Sequence, residues 1–522
     1  MLTYSRKLAQ VNVPVLLQDL GSVEFSPHQK CQIDQEIKSR FPHILFDQIL
    51  SLKKSSPAKS SKTLKIGCVL SGGPAPGGHN VILGLFEGLK ELNHHNQLIG
   101  FHDGLDGFLR NDRLELTHHH LLEHKNLGGF YLLGSSRKKI SEEADFLAAK
   151  DVVLKEKLDG LVIIGGDDSN TNGAVLADYF IKEKINCQVL GVPKTIDGDL
   201  RHEFLEVSFG FDTASKIYSE AVGNILNDAK SAKKYYHFVK IMGRSASHLA
   251  LETAMNTHPN FTFISEEMDV RPIASQIEEL CDMIILRAQH QKNYGCVLIP
   301  EGLLEFIPEF QDLISEINSK KITDRENAKL ALDPKNLEFF NRLPRSVQNQ
   351  IFLERDPHGN IPLSQIQTEE VIIQWVKDRL SQKEEEANLK FSAVNHFLGY
   401  EGRCGFPTIF DCDYTYALGK LVAKMVDSGL TAYMAGFKNL KANPLEWSPF
   451  VIPLSTMMHV ISYKGKSKPV IEKTFVDLKG TVYQKFKHSR ERYKFEDDYI
   501  CPGPIQFFGP EELKGQRPLI LY

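Results

Sequence analysis

Five short apolar runs in this chain each break into a loop built from glycine, proline and charged residues. Lys65–Leu70 (KIGCVL) runs into SGGPAPGG, Gly160–Ile164 (GLVII) into GGDDSN, and Gln188–Val192 into PKTIDGD. His237–Met242 ends in GRSAS, and Gly295–Ile299 ends in PEG. After the first loop the pattern restarts at Asn80, with Val81, Ile82, Leu85, Phe86 and Leu89 at helical spacing; after the second, a helix is expected around Ala174–Phe180. Strands alternating with helices predict βαβ units and a parallel sheet. The unusual loops all follow the carboxyl ends of strands, where open α/β sheets bind their ligands.

The rest of the 522-residue chain is more ordinary. Residues 1–50 read as an N-terminal extension with some helix. SLKKSSPAKSSKT (51–63) reads as a linker or exposed loop. Residues 303–390 change to a charged, mostly helical pattern, with a turn at Asp356–Asn360 and a solvated helical face in KEEEANLK (383–390). This stretch reads as an insertion between two pieces of an α/β domain. The tail holds another Pro/Gly loop, CPGPIQFFGP, at 501–510.

Lys and Arg number 62 against 66 Asp and Glu, a formal charge of -4. That balance argues against a general nucleic-acid binder or a polybasic membrane binder. The eight cysteines form no C-x-x-C pair, which makes zinc ribbons and thioredoxin-like motifs poor explanations and fits reduced thiols. No apolar run approaches the roughly 18 residues of a membrane span, and the N-terminus has charges where a signal peptide is apolar. A soluble cytoplasmic protein is expected.

Three loops can carry chemistry. SGGPAPGG (71–78) can bring backbone N–H groups close to a phosphate at a helix start, or be a tight structural turn; it matches neither a Walker A loop nor G-x-G-x-x-G. GGDDSN places Asp167 and Asp168 at a strand end, to hold Mg²⁺ against phosphates or simply to cap the next helix. PKTIDGD offers Asp197 and Asp199 as a general base and an orienting group, with Lys194 to neutralise transferring phosphate; the bland alternative is a turn with exposed charges. Arg244, Glu301 and Arg403 are further charged residues in loops, suited to phosphate or sugar hydroxyls, or to the surface. THHHLLEH (117–124) lacks metal-ligand spacing, and KHSRERYK (487–494) reads as a solvated face. Together the loops describe phosphoryl transfer, which depends on positioning and charge stabilisation.

VLSGGPAPGGHN, LGSSR (133–137), GGDDSN, PKTIDGD, SFGFDTASK (208–216), KKYYHFVKIMGRSASH (233–248), PEG and GYEGR (399–403) come in the order seen in phosphofructokinases, and the chain resembles that family in its long, pyrophosphate-dependent form. The resemblance covers roughly 64–302 and 391–510. It implies two Rossmann-like parallel-sheet α/β domains, with the N-terminal extension and a mostly helical insertion. The implied limits are 1–63 for the extension and linker, 64–230 for the domain with the diphosphate and Mg²⁺ site, 231–302 with 391–480 for the sugar-phosphate domain, 303–390 for the insertion, and 481–522 for a segment packing back on the core.

The resemblance also implies roles. Asp197 matches the base that takes the proton from the C1 hydroxyl of fructose 6-phosphate; Thr195 and Ile196 line the same site with it. Asp167 matches the Mg²⁺ residue, and Gly72 and Gly73 the diphosphate loop. Met242, Gly243, Arg244, Glu301, Tyr400, Glu401, Gly402 and Arg403 match sugar-phosphate contacts, with Arg244 also in the catalytic set. Lys234 and Tyr235 match positions that reach a neighbouring subunit's site, which implies a homodimer. ATP-using relatives carry GGDGS and PGTIDND, where this chain has Asp168 and Lys194. A carboxylate at 168 would repel the α-phosphate of ATP, a group that pyrophosphate lacks. An ATP-dependent enzyme and a non-catalytic regulatory subunit are the competing readings; the presence of Asp167, Asp197 and Asp199 speaks against the second.

Overall fold

The computed structural model describes residues 2–57, 62–353, 365–383, 390–463 and 466–522. Its strands begin with β1 (Val23–Lys30), β2 (Gln48–Lys54), β3 (Lys65–Leu70), β4 (Gln97–Phe101) and β5 (Arg113–Glu115). They continue with β6 (Gly160–Gly165), β7 (Gln188–Pro193), β8 (Tyr235–Ile241), β9 (Phe261–Thr262) and β10 (Tyr294–Pro300). The last five are β11 (Ala393–Leu398), β12 (Tyr433–Lys438), β13 (Ser448–Pro453), β14 (Met458–Tyr463) and β15 (Lys466–Ile471). All five runs singled out in the sequence are strands.

The chain forms two compact units. The first comprises Met1–Ala214, Arg403–Thr474 and Gln506–Leu521. Its main sheet has nine strands in the order β1-β2-β13-β12-β7-β6-β3-β4-β5. The middle of this sheet, from β12 to β4, is parallel. Its margins are antiparallel, because β12 and β13, β1 and β2, and β4 and β5 are joined as antiparallel pairs. Every residue of β6 is buried, as expected for a strand covered on both faces.

The N-terminal extension is integral to this unit. It supplies two of the nine strands, and Ile33, Ile37, Ile44 and Ile49 join Val69, Ile163, Val189 and Met434 in one apolar core. Ser51–Lys54, inside the stretch expected to be a linker, is the end of β2, where each residue pairs with β1 and Ser51 also pairs with β13. Behind the sheet the helices Gly78–Leu92 and Ile409–Asp427 touch closely, since a Cβ on Gly419 would come within 2.6 Å of the Leu85 nitrogen.

The second unit comprises Ser215–Gly402, Phe475–Ile505 and Tyr522. Its four-stranded sheet, β11-β8-β10-β9, is parallel throughout. The stretch 303–390 is helical where described: Pro308–Ser319, Arg325–Ala331, Pro334–Asn341, Arg345–Gln350 and Thr368–Ser381. Phe310, Phe340, Val347, Trp375 and Val376 from these helices share an apolar core with Phe238 and Ile299 of the sheet. The turn expected at 356–360 and residues 384–389 of the charged run lie outside the described residues.

KHSRERYK lies in the helix Thr481–Phe495 and is not a solvated face throughout: Tyr493 and Lys494 are buried, and Arg490 and Lys494 pair with Glu267 and Glu279. All eight cysteines are free thiols. Among the described residues no helix is long and apolar enough to cross a membrane.

Candidate active site

The loop after β3 is held open by backbone geometry that side chains resist. Gly72 has φ +82 and Gly77, which precedes the helix Gly78–Leu92, has φ +103. The loop is tied to its neighbours by Gly72 N–H donating to Ser136 O at 2.8 Å and by the Ser169 hydroxyl donating to Ser71 Oγ at 2.9 Å. Two cations approach from below. Lys194 donates from Nζ to the carbonyl of Gly73 at 2.8 Å, and a Cβ on Gly73 would lie 3.3 Å from the Arg403 Cζ. Arg403, expected among sugar-phosphate contacts, is thus beside the diphosphate loop. Burial, together with the charge of Arg403, lowers the Lys194 ammonium to about 8. A buried lysine pressed against a second cation is an anion-binding arrangement.

The two adjacent carboxylates sit in the first turn of the helix Asp167–Lys182, whose preceding residue is Gly166. Gly166 has no side chain to cap the helix. Instead the carboxylates pair with lysines: Asp168 Oδ1 is 3.3 Å from Lys468 Nζ, and Asp167 Oδ2 is 3.5 Å from Lys473 Nζ. Both lysines come from β15 and the residues just after it, some 300 positions downstream.

The third loop leaves β7 with Lys194 and turns through Gly198, which has φ +73. It is organised from within. Asp197 N–H donates to Thr195 Oγ1 at 3.1 Å, and the Ser208 hydroxyl donates to Thr195 O at 2.9 Å. Ile196 is buried, while Asp197 is part-exposed. Asp199 is 6% exposed. Burial, and after it the charge of Asp197, pushes its carboxyl up to about 7, against the opposing pull of Lys473. Lys194 and Asp199 are both buried, which excludes a turn with exposed charges at those two positions.

Among the described residues no group of three or more His, Cys, Asp or Glu side chains could hold a metal by itself. Mg²⁺ does not need one: it keeps several waters and binds through one or two carboxylates plus substrate phosphate oxygens. Asp167 could supply such a carboxylate. Burial is the first cause of the raised Asp199, but the charges of Asp197 and Asp167 add to it, so a cation placed beside Asp167 would be electrostatically favoured. The residues therefore fit such an ion.

In the second unit Met242, Gly243, Arg244 and Glu301 meet at the carboxyl ends of adjacent strands β8 and β10. Glu301 is buried; its Oε2 accepts from Gly243 N–H at 2.9 Å, and its own N–H donates to Ile241 O at 2.9 Å. Gly243, at φ +141, permits the turn that turns this backbone toward Glu301. Tyr400 is exposed after β11, Glu401 is exposed at the start of the short helix Glu401–Cys404, and Gly402 is packed where a side chain would strike the Tyr218 ring. Lys234 and Tyr235 are not brought to this group. They precede and begin β8, whose seven residues separate them from Met242 by about 20 Å at ~3.3 Å per residue. Lys234 Nζ lies over the Tyr235 ring, 5.3 Å from its centre, and Tyr235 holds an unusual φ of 70.

Sequence reasoning missed Lys468 and Lys473. KGKSKPVIEK has no recognisable loop chemistry, and only the folding of the β14–β15 hairpin along the helix Asp167–Lys182 gives these lysines carboxylate partners.

A parallel α/β scaffold with a glycine phosphate loop, paired carboxylates and a buried lysine defines a phosphoryl-transfer class, and comparison gives that class a family. Residues 65–426 match the family model described as Phosphofructokinase. This chain belongs to the phosphofructokinase family. It is 44% identical over 499 residues to the pyrophosphate--fructose 6-phosphate 1-phosphotransferase subunit beta 2 of Arabidopsis thaliana, covering 94% of this chain and 88% of that protein. The pyrophosphate--fructose 6-phosphate 1-phosphotransferase of Porphyromonas gingivalis is 40% identical over 526 residues, 98% of this chain and 96% of that one. The crystal structure of a pyrophosphate-dependent phosphofructokinase from Nitrosospira multiformis has the same fold, with TM-score 0.56 at 14% identity over 85% of this chain and 95% of that one.

Proposed function

We propose that this chain catalyses reversible, Mg²⁺-dependent phosphoryl transfer from pyrophosphate to the C1 hydroxyl of fructose 6-phosphate, giving fructose 1,6-bisphosphate and phosphate, as part of glycolysis or gluconeogenesis in the cytoplasm. The observation that carries the choice of donor is the buried Lys194 beneath the glycine loop, together with Asp168 beside it in the sequence of strand-end loops. Relatives 40 to 44% identical over nearly the whole chain carry the corresponding name.

The chemistry follows from the side chains. The glycine loop at Gly72 and Gly73 receives the diphosphate, and Lys194 and Arg403 offset the charge that builds on its oxygens as the bridging bond breaks. Asp197, part-exposed and braced by Thr195, accepts the proton of the attacking C1 hydroxyl. Asp167 would hold Mg²⁺, which supplies charge neutralisation between the diphosphate oxygens. Met242, Gly243, Arg244, Glu301, Tyr400, Glu401 and Gly402 are assigned to the sugar phosphate by family resemblance. The buried, hydrogen-bonded Glu301 is set to accept from sugar hydroxyls, and Arg244 to meet the phosphate.

The position of Lys234 and Tyr235 at the far end of β8 from Arg244 supports their serving a neighbouring copy, and hence a homodimer.

The test is a direct assay. Purified protein is given fructose 6-phosphate and Mg²⁺ with either pyrophosphate or ATP, and fructose 1,6-bisphosphate is followed. Product with pyrophosphate alone is expected. Product with ATP alone would overturn the choice of donor and keep Asp197 as base. No product with either would favour a non-catalytic subunit.

A further inference from the structure

The mechanism above leaves two cations unused. Lys468 and Lys473 pair with the adjacent carboxylates Asp168 and Asp167, at 3.3 and 3.5 Å. Their segment is pinned by its backbone, not by those pairs. Ile471 N–H donates to Thr171 Oγ1 at 3.3 Å, and Thr474 N–H donates to Asp199 O at 2.7 Å. The Lys473 backbone is therefore fixed between an anchor on the metal-carboxylate helix and an anchor on the catalytic loop. These two anchors hold the backbone and leave the long side chain its own torsional freedom.

The pair itself contributes little to stability. Lys473 and Asp167 are 28% and 27% exposed, and ion pairs this open to water add little to stability. What matters is the position. The ammonium rests on the carboxylate assigned to the divalent ion. An ammonium and a dication repel each other at one carboxylate, so the metal–diphosphate complex arriving at Asp167 frees the lysine. Its tethered side chain then stands between the Asp199 carboxyl, whose charge it already favours, and the diphosphate that arrives with the metal.

We propose that Lys473 is a further diphosphate-binding residue, held on Asp167 in the empty enzyme and transferred to a diphosphate oxygen when the metal–diphosphate complex takes that carboxylate. The lysine thus competes with free metal and cooperates with metal-bound diphosphate. This inference rests on the proposed pyrophosphate reaction, and its test separates the two.

The test uses the full-length chain and the Lys473→Met variant. Mn²⁺ alone is titrated by electron paramagnetic resonance, and imidodiphosphate with saturating Mg²⁺ by calorimetry. Mn²⁺ should bind several-fold more tightly to Lys473→Met. Imidodiphosphate should bind about tenfold more weakly, the worth of one charge-assisted hydrogen bond, with the KM for fructose 6-phosphate unchanged. Lys473→Arg should recover most of the imidodiphosphate affinity, and it carries the test should Lys473→Met fail to fold. Opposite movement of the two affinities is the signature. Unchanged affinities, or a joint loss with a lower Tm, would overturn the proposal and make the lysine a structural partner only. A parent enzyme that makes no product from pyrophosphate would overturn the reaction instead.

Discussion

The ammonium of Lys194 donates to the carbonyl of Gly73 at 2.8 Å, joining the end of one parallel strand to the phosphate loop of another. The contact explains why the lysine is buried yet useful. Its charge is costly there, and burial with Arg403 nearby lowers it to about 8, so the proton is lost as pH rises through that value. The kcat/KM for pyrophosphate should therefore show an alkaline limb near pH 8, the free-enzyme value of this group. Lys194→Arg, always charged, should be slower but should lack that limb below pH 10. A limb that stays in place would assign it to another group.

Asp197 is the part-exposed carboxylate of its loop and Asp199 the buried one. Asp197→Ser should lower kcat by at least ~10²-fold, the usual scale for a general base, with little change in Tm. Steady-state turnover and a melting curve measured together check both halves of that statement.

Donor choice rests on more than a bare carboxylate, because Asp168 already has Lys468 at 3.3 Å. Asp168→Gly removes the group that would repel an α-phosphate and leaves Lys468 to attract one. The ratio of ATP to pyrophosphate kcat/KM should rise by about tenfold or more, the order of one charge contact. In Asp168→Gly/Lys468→Met most of that gain should disappear. A ratio that does not move in the single variant would show that neither charge governs the donor.

Much of this was legible in the sequence because parallel strands announce themselves. β3, β6, β7 and β10 are buried on both faces, so they read as unbroken apolar runs, and each is cut by residues that only a turn tolerates. Asp167, Asp168, Lys194 and Asp197 lie in those cuts. The contribution of residues 51–54 to β2 was hidden because the strand ends in two exposed lysines, Lys53 and Lys54, which look like linker. Lys468 and Lys473 were hidden for a different reason. Their chemistry comes from partners about 300 residues away, and no local pattern encodes it.

His79, at the start of the helix that follows the phosphate loop, is buried against the rings of His124 and Tyr131, with neither ring nitrogen satisfied by a side-chain or backbone partner of good geometry. Burial, then the charge of His124, lowers it to about 3. The unfolded chain takes up this proton near pH 6.5, while the folded chain refuses it until about 3. Stability is therefore complete above pH 6.5 and drains as pH falls, by up to ~1.4 kcal/mol per unit from this group. His79→Phe should melt higher than the parent at pH 5 and close to it at pH 8. An equal gap at both values would show that packing, not the proton, sets the difference.

The order of strands in the nine-stranded sheet has a consequence for how the protein is made. β2 and β7 are synthesised early, yet the strands that lie between them, β12 and β13, end only at Pro453. From the completion of β7 at Pro193 onward, the nascent chain carries two open strand edges, one on the extension and one at the catalytic loop. At 5–20 residues per second that interval lasts roughly 10–50 s. Unpaired edges template wrong pairings. Translation speed and chaperone supply, as much as sequence, then govern how many chains ever become enzyme.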